Sequence, residues 1–400
     1  MHPVSPNAPQ APQSPVQSTP QDAAAAPLKN AIGLCLSGGG YRAMLFHLGT
    51  LWRLNEASYL GKLDRISSVS GGSITAGVLG LHWKDLGVTR DAPAPGLSIV
   101  IDQVRALAAR TIDIGSVLEG VFGPGTVSDK IQKAYDDVLF HGATLQDLPD
   151  DPPRFVINAT NVQSTVLWRF SKPYMRDWRV GKVPNPRIPL AVAVAASSAF
   201  PPVLSPAEID LHKYGCVFEP NTGTDLQIEP YISKAVLTDG GVYDNMGLET
   251  VWKGYRTVLV SDAGGHVEPE ESPHRDWARH SFRILDIVDN QVRSLRKRQV
   301  IAAFQHGERS GAYWGIRTNI LDYQVDHALP CPFDKTMDLA RIATRLKAMA
   351  DSDQMRLINW GYAVCDAAMR KHVDPALPPP VGFPYPAEGV GDQTAAAAAS

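Results

Sequence analysis

Apolar positions along the chain follow two periods, and the switches between them mark its elements. A short apolar run at 31–36 has the length and density of a buried strand. Residues 44–55 then place apolar side chains at spacings of three and four, the period of a helix. Residues 63–69 repeat the strand pattern, a turn of very small residues follows, and an apolar helix runs to about Trp83. Two strand–turn–helix units in succession predict a parallel sheet with its loops along one edge.

Downstream the pattern is less even. Pro93 and Pro95 break regular structure over 87–96. Amphipathic helices are predicted over 99–112 and 127–139, and two strands around a turn over 154–161 and 165–170. An Ala- and Val-rich helix over 188–199 is stopped by Pro201 and Pro202. Residues 234–239 read as a strand ending on Asp239, followed by Gly240 and Gly241. Residues 258–262 repeat that theme, with Asp262 before Gly264, Gly265 and His266. One long helix or two occupy 275–305, and two more are predicted at 337–349 and 355–369. Residues 1–27 hold almost no large apolar side chains and are expected to be disordered. Residues 376–400 are expected to form a mobile Pro-, Gly- and Ala-rich tail, leaving 28–375 as the folded catalytic unit with a C-terminal helical extension.

Composition narrows the class. The chain has 400 residues, 44% hydrophobic and 20% charged, as a soluble globular protein does. A formal net charge of −3 argues against a general nucleic-acid binder. Cys35, Cys216, Cys331 and Cys365 are widely spaced, and read as reduced, mostly buried thiols. Neither a secretory leader nor an apolar run of ~20 residues is visible. The expectation is a cytoplasmic protein, peripheral at membranes at most.

Three stretches carry candidate chemistry. Ser37-Gly38-Gly39-Gly40-Tyr41-Arg42-Ala43 follows the first strand. Its glycines can form a cradle of backbone N–H groups, for an oxyanion or a phosphate. It lacks the Gly-Lys-Ser/Thr ending of a P-loop and meets the dinucleotide fingerprint only in relaxed form, with Ala43 for the last glycine. Arg42 is either a fixed charge or a tether for the loop. The second stretch is Ser67-Ser68-Val69-Ser70-Gly71-Gly72-Ser73. Gly71 and Gly72 allow a sharp strand-to-helix turn that lifts Ser70 to a helix N-terminus, where developing negative charge is favoured. This is close to the Gly-x-Ser-x-Gly nucleophile elbow, with Ser68 for its first glycine; the plain alternative is a helix cap. The third is Asp239 with its glycines. Asp239 shares the edge of Ser70 if its strand is parallel; Asp262 is its rival and His266 a candidate third partner. Arg293, Arg296, Lys297 and Arg298 read either as a contact for anionic lipid headgroups or as a solvated face.

In their order, the glycine loop with its Arg, the serine elbow and the Asp-Gly-Gly resemble the patatin-like phospholipases, from about Ala31 to Gly247. Ala196-Ser197-Ser198-Ala199-Phe200-Pro201 is also similar to a stretch of that family. The resemblance implies an α/β fold, a three-layer sandwich with a central, mostly parallel sheet flanked by helices. It implies a lipid acyl hydrolase with a Ser-Asp dyad: Ser70 the nucleophile, Asp239 the base, and Gly38, Gly39, Gly40 and Arg42 the oxyanion loop. Ser68, Gly71 and Gly72 then form the elbow. No cofactor, metal or nucleic acid is implied; the substrate is a lipid or another ester. Three positions depart from the pattern: Ser37 where Asp is common, Ala43 where Gly is usual, and Ser68. Two rivals stay open. One is an α/β-hydrolase esterase with a Ser-His-Asp triad, using His266 or His274. The other is a non-catalytic scaffold that binds lipid or a partner. In a dyad His47, His266 and His274 are dispensable for chemistry.

Overall fold

The computed structural model describes residues 27–112, 127–201, 204–265 and 267–391. The expected N-terminal disorder over 1–26, the end of the tail over 392–400, Pro202 and His266 lie outside the described residues.

Strand β1 (Lys29–Leu36) leads through the glycine turn into helix α1 (Gly40–Glu56). The helix starts four residues before the expected 44–55. Gly39 takes φ 142°, so the chain turns directly into its first helical residue. Strand β2 (Arg65–Val69) and helix α2 (Gly71–His82) repeat the unit. Helices α3 (Ser98–Ala108) and α4 (Val127–Tyr135) follow; α4 continues in a π turn over Asp136–Phe140. Next come strands β3 (Arg154–Asn161), β4 (Val166–Phe170), β5 (Tyr174–Asp177) and β6 (Gly181–Pro184), then helix α5 (Leu190–Ser197). Strands β7 (Ala207–Asp210) and β8 (Lys234–Asp239) precede two short helices, α6 (Gly241–Asp244) and α7 (Glu249–Trp252). The rest is β9 (Tyr255–Asp262), the long helix α8 (Trp277–Gln305), β10 (Ser310–Gly315), α9 (Phe333–Arg341) and α10 (Asp351–His372).

These strands form one ten-stranded sheet, ordered β10-β9-β1-β2-β3-β4-β5-β6 with β7 and β8 off that path. The first five in that order are parallel and the β3 to β6 meander is antiparallel. Alternate residues of β1 point to opposite faces. Leu34 and Leu36 join the large core built with α1, α2, α3, α5 and α10, while Cys35 joins a smaller core with Met246, Val251 of α7 and Val300 of α8. Helices thus cover both faces, in the three-layer α/β arrangement expected. All four cysteines are free and buried. Among the described residues no helix is long and apolar enough to cross a membrane.

Three features differ from the sequence expectation. Strand β8 is antiparallel, pairing Asp239 with Ala159, Thr238 with Thr160 and Leu237 with Asn161 of β3. The helix expected over 337–349 ends at Arg341. Beyond it the backbone is held by other parts of the chain: Tyr41 N–H donates to Arg345 O at 3.1 Å, Ile112 N–H to Leu346 O at 2.8 Å, and Met349 N–H to Ala108 O at 2.9 Å. Those bonds replace the helical ladder. Finally, residues 376–391 are packed, not loose. Leu377, Phe383 and Val390 are buried, and the Asn359 side chain of α10 donates to Tyr385 O and Gly389 O and accepts from Tyr385 N–H.

Candidate active site

Ser70 occupies the tip of a strained turn. Its φ is 50° and ψ −120°, a backbone conformation rare for a residue with a Cβ. It caps α2, whose first N–H groups have no intrahelical acceptor. The turn closes this tightly because residues 71 and 72 are glycines. A Cβ on Gly71 would lie 2.1 Å from Gly40 O, and one on Gly72 2.5 Å from Leu36 O. The elbow therefore rests directly on the glycine loop.

Below the turn is a buried hydroxyl network. Ser70 N–H donates to Ser197 Oγ at 2.9 Å, and Ser197 Oγ–H donates to Asn158 O at 2.6 Å. Ser73 Oγ lies 2.9 Å from Ser197 Oγ and donates to Ser68 Oγ at 3.0 Å. Asn158 Nδ2 donates to Ser67 Oγ and Ser68 O, both at 2.9 Å. Ser68 stands where a glycine is usual, and its buried hydroxyl accepts from Ser73 Oγ and donates to Val156 O at 3.4 Å.

Asp239 reaches Ser70 by an unexpected route. β2 pairs with β3 only as far as Val69 opposite Asn158. β8 pairs with the next residues of β3, Ala159 to Asn161, and runs the other way. The two strands lie along one flank of β3 and meet carboxyl end to carboxyl end. The Asp239 carboxylate accepts a hydrogen bond from Gly241 N–H at 2.7 Å, and the Ser70 side chain lies near enough to favour its ionised form. Its own backbone is fixed by Ala199 O at 2.9 Å and Thr160 Oγ1 at 2.8 Å. Burial pushes its pKa up to about 7; the Gly241 amide and the Ser70 side chain oppose the rise and nearby Asp289 adds to it.

The glycine loop divides. Gly38 N–H donates to Asn245 O at 3.0 Å. Arg42 is buried, and its guanidinium donates to Ala263 O at 3.2 Å and to Ile342 O. Arg42 thus tethers the loop to two distant segments. The amides of Gly39, Gly40 and Gly71 have no acceptor among the described residues. Ser37 is also structural: its Oγ accepts from Ala263 N–H at 2.8 Å. His47 bridges Ser37 O and Ser261 Oγ, both at 2.9 Å, and burial lowers its pKa to about 4, so it is neutral.

The rival residues are elsewhere. Asp262 ends β9, on the far side of β1 from β2, and accepts from Tyr313 Oη at 2.7 Å and Gly264 N–H at 2.9 Å. His274 is exposed. His266 is outside the described residues.

Sequence reading did not assign Ser197, Asn158, Asn245 or Asp289 to this site. Asn245 links its parts: a Cβ on Gly38 would lie 2.4 Å from its Oδ1 and one on Gly241 2.9 Å, and its Nδ2 donates to Asp289 at 3.3 Å. The signals available were Ser197-Ser198 closing an Ala-rich helix and Asp244-Asn245 just past the Asp-Gly-Gly.

A family model, Patatin-like phospholipase, matches residues 34–252, more than half of the chain. No curated protein matches. Among solved structures, human GIVD cytosolic phospholipase A2 is 12% identical over 85% of this chain and 61% of its own, with a TM-score of 0.46. The same human protein in complex with methyl gamma-linolenyl fluorophosphonate is 15% identical over 84% and 57%, with a TM-score of 0.48. VipD from Legionella pneumophila is 14% identical over 87% and 68%, with a TM-score of 0.33. The chain thus spans only 61% and 57% of the two human chains.

Proposed function

The chain belongs to the patatin-like phospholipase family, a family of lipid acyl hydrolases, and from that premise we propose that it cleaves carboxylic esters of lipids through an acyl-enzyme on Ser70. The observation that carries this reading is that β2 and β8 end on adjacent residues of β3, which puts Ser70 at its strained turn beside the buried carboxylate of Asp239, whose pKa burial pushes up to about 7.

Ser70 Oγ attacks the ester carbonyl while Asp239 takes its proton. The carbonyl π pair moves onto oxygen, and the amides of Gly39, Gly40 and Gly71 stabilise the charge. Collapse expels the alcohol, which leaves with the proton from Asp239. Water then attacks the acyl-enzyme, gives a proton to Asp239, and releases the fatty acid as Ser70 is reprotonated. A buried carboxylate suits this shuttle because its pKa lies near neutrality. The buried hydroxyls beneath the turn support the reading too, since they hold Ser70 in its strained conformation.

The test is covalent labelling with a fluorophosphonate, together with hydrolysis of a short-chain ester and of phospholipid vesicles. Ser70→Ala abolishes labelling and turnover. Asp239→Asn lowers kcat by about 10²–10⁴-fold, the usual weight of general acid–base catalysis. Labelling survives His266→Ala and His274→Ala. Folded wild-type protein that neither labels nor turns over any ester overturns the proposal. Loss of labelling in either histidine variant replaces the dyad with a triad.

A further inference from the structure

Strand β1, from which the glycine loop departs, lies between β9 and β2. From β1 the chain passes through α1 to β2; from β9 it passes through α8 to β10, on the other side of β1. Helices α1 and α8 cover opposite faces, because Leu34 and Leu36 point into one core and Cys35, with Val300 of α8, into the other. The winding therefore reverses between β1 and β9. Open α/β sheets bind ligands at such a reversal, in the crevice outside the carboxyl ends of the strands. β9 is two strands from β2, about 10 Å across the sheet, so this crevice is not the Ser70 turn.

Four cations converge there. The guanidiniums of Arg42, just past β1, and of Arg293, in α8, both lie against the turn that ends β9. A Cβ on Gly264 would collide with Arg293 Nη1, and one on Gly265 would lie 2.9 Å from Arg42 Nη1. Both arginines are buried, at 3% and 4% exposure. Lys297, one turn beyond Arg293, sits over the Tyr313 ring at 4.7 Å, and Tyr313 Oη donates to Asp262. Arg317 is half-buried and follows Ile316, whose N–H donates to Asp262 O at 2.8 Å. This charge is not neutralised in place. Arg42 donates to carbonyls, Ala263 O and Ile342 O. Arg293 Nη2 donates to Gly265 O at 3.3 Å and Asn290 Oδ1 at 3.2 Å, and its buried Nε has no partner. Of the acids nearby, Asp262 is bonded to Tyr313 Oη and Gly264 N–H, Asp289 to Asn245, and Asp322 is exposed. Arg296 of the same helix pairs with Asp244 at 3.6 Å and Glu249 at 3.7 Å; among the described residues none of the four cations has such a partner. Burial and the neighbouring Arg293 pull the Arg42 pKa down to about 10. Buried charges are ordinarily paired, and a buried donor ordinarily has an acceptor. An oxyanion in the crevice would supply both.

We propose that this crevice binds a phosphate dianion, free or as a soluble phosphate monoester, between Arg42, Arg293, Lys297 and Arg317 and apart from the Ser70 ester site. A phosphate monoester presents three strong acceptor oxygens, enough for two guanidiniums and an ammonium at once. Arg42 also ties the glycine loop to the end of β9 and to the chain past α9, so the bound anion stiffens that brace. The probe is inorganic phosphate, titrated calorimetrically into the full-length wild-type protein, with potassium chloride at equal ionic strength as the reference. Phosphate binds saturably and raises the melting midpoint; chloride does neither. Arg317→Gln and Lys297→Gln each weaken phosphate binding by at least about tenfold, the weight of one charge-assisted hydrogen bond, while Lys297→Arg retains it. Arg298→Gln, at an exposed position of the same helix, leaves it unchanged.

Absence of saturable phosphate binding to the wild type overturns the proposal. So does binding that survives both Gln variants, because it then lies in the amide cradle beside Ser70. Glycerol phosphate competes with inorganic phosphate. Glycerophosphocholine, the water-soluble head of a phospholipid, does not; its competition at equal concentration would make the cluster a seat for a lipid headgroup and overturn the separate site. Both Gln variants keep the far-UV spectrum and the phosphate-free melting midpoint of the wild type. Lys297→Glu, at an exposed position, gives a second reading and abolishes binding. Fluorophosphonate labelling of Ser70 reports on the catalytic reading whichever way the titration falls.

Discussion

Asp239 combines two demands that oppose each other. Removal from water raises its pKa, which makes it a competent base near neutrality, while the Gly241 amide and the Ser70 hydroxyl keep the ionised form accessible. In the proposed role of base it must be ionised, so kcat/KM for a soluble ester is expected to rise with pH through about 7, and a pH–rate profile measures that limb. The same shift enters stability with the opposite sign. In the unfolded chain the carboxyl ionises near pH ~3.9. Between there and about 7 the native state holds a proton that the unfolded state has released, so this contribution to stability is present at low pH and lost as pH rises through about 7. Asp239→Asn, uncharged throughout, therefore melts above wild type at pH 8, and the gap closes towards pH 4; thermal scans at the two values decide it. Ser197 is the complementary case, acting through a neighbour. Ser197→Ala leaves Ser70 N–H and Asn158 O without their partner. It is expected to lower kcat about tenfold with little change in KM, measured on the same ester.

The strands and helices around the site work as stops and abutments. β2 ends where the partner register of β3 passes to β8, and that hand-over brings Ser70 and Asp239 together from distant parts of the chain. α2 begins hard against the glycine loop, so the elbow and the loop have one relative position. Gly71→Ala tests this: its methyl carbon would sit 2.1 Å from Gly40 O, and the loop must move. Ester hydrolysis in Gly71→Ala is expected to fall by about 10²–10³-fold, the weight of a lost oxyanion donor, with secondary structure retained by circular dichroism. Arg42 acts at the same level. Its buried guanidinium ties α1 to the end of β9 and to the chain just past α9, so the glycine loop is braced by segments more than two hundred residues away.

The described residues form one sheet with two unequal cores, and α10 with the residues after it packs back on α1. Arg53 of α1 pairs with Asp366 of α10 at 2.8 Å and donates to Pro378 O at 2.7 Å. Residues 376–391 form a strap over α10 and bury Leu377, Phe383 and Val390. Burial of one such side chain is worth about 1.5–3 kcal/mol. Truncation after residue 375 is therefore expected to lower the melting midpoint, while removal of 392–400 alone leaves more of it intact; differential scanning calorimetry of the two truncations compares them.

Much of this was written in local pattern. The strand–glycine–helix units, the parallel core and Ser70 at its turn were legible because period and small residues act over a few positions, whereas the Ala-rich helix ends at Ser197, before the prolines expected to stop it. The family resemblance added Asp239, which on turn chemistry alone had a rival in Asp262. What the chain order could not express was pairing. An antiparallel β8 and a parallel one have the same alternation, so Asp239 meets Ser70 through a register that no short segment encodes. The end of α9 at Arg341, the packed strap and the roles of Ser197 and Asn245 belong to the same class. Each depends on a hydrogen bond whose other partner is far away in sequence, and only the folded chain chooses between that partner and a local one.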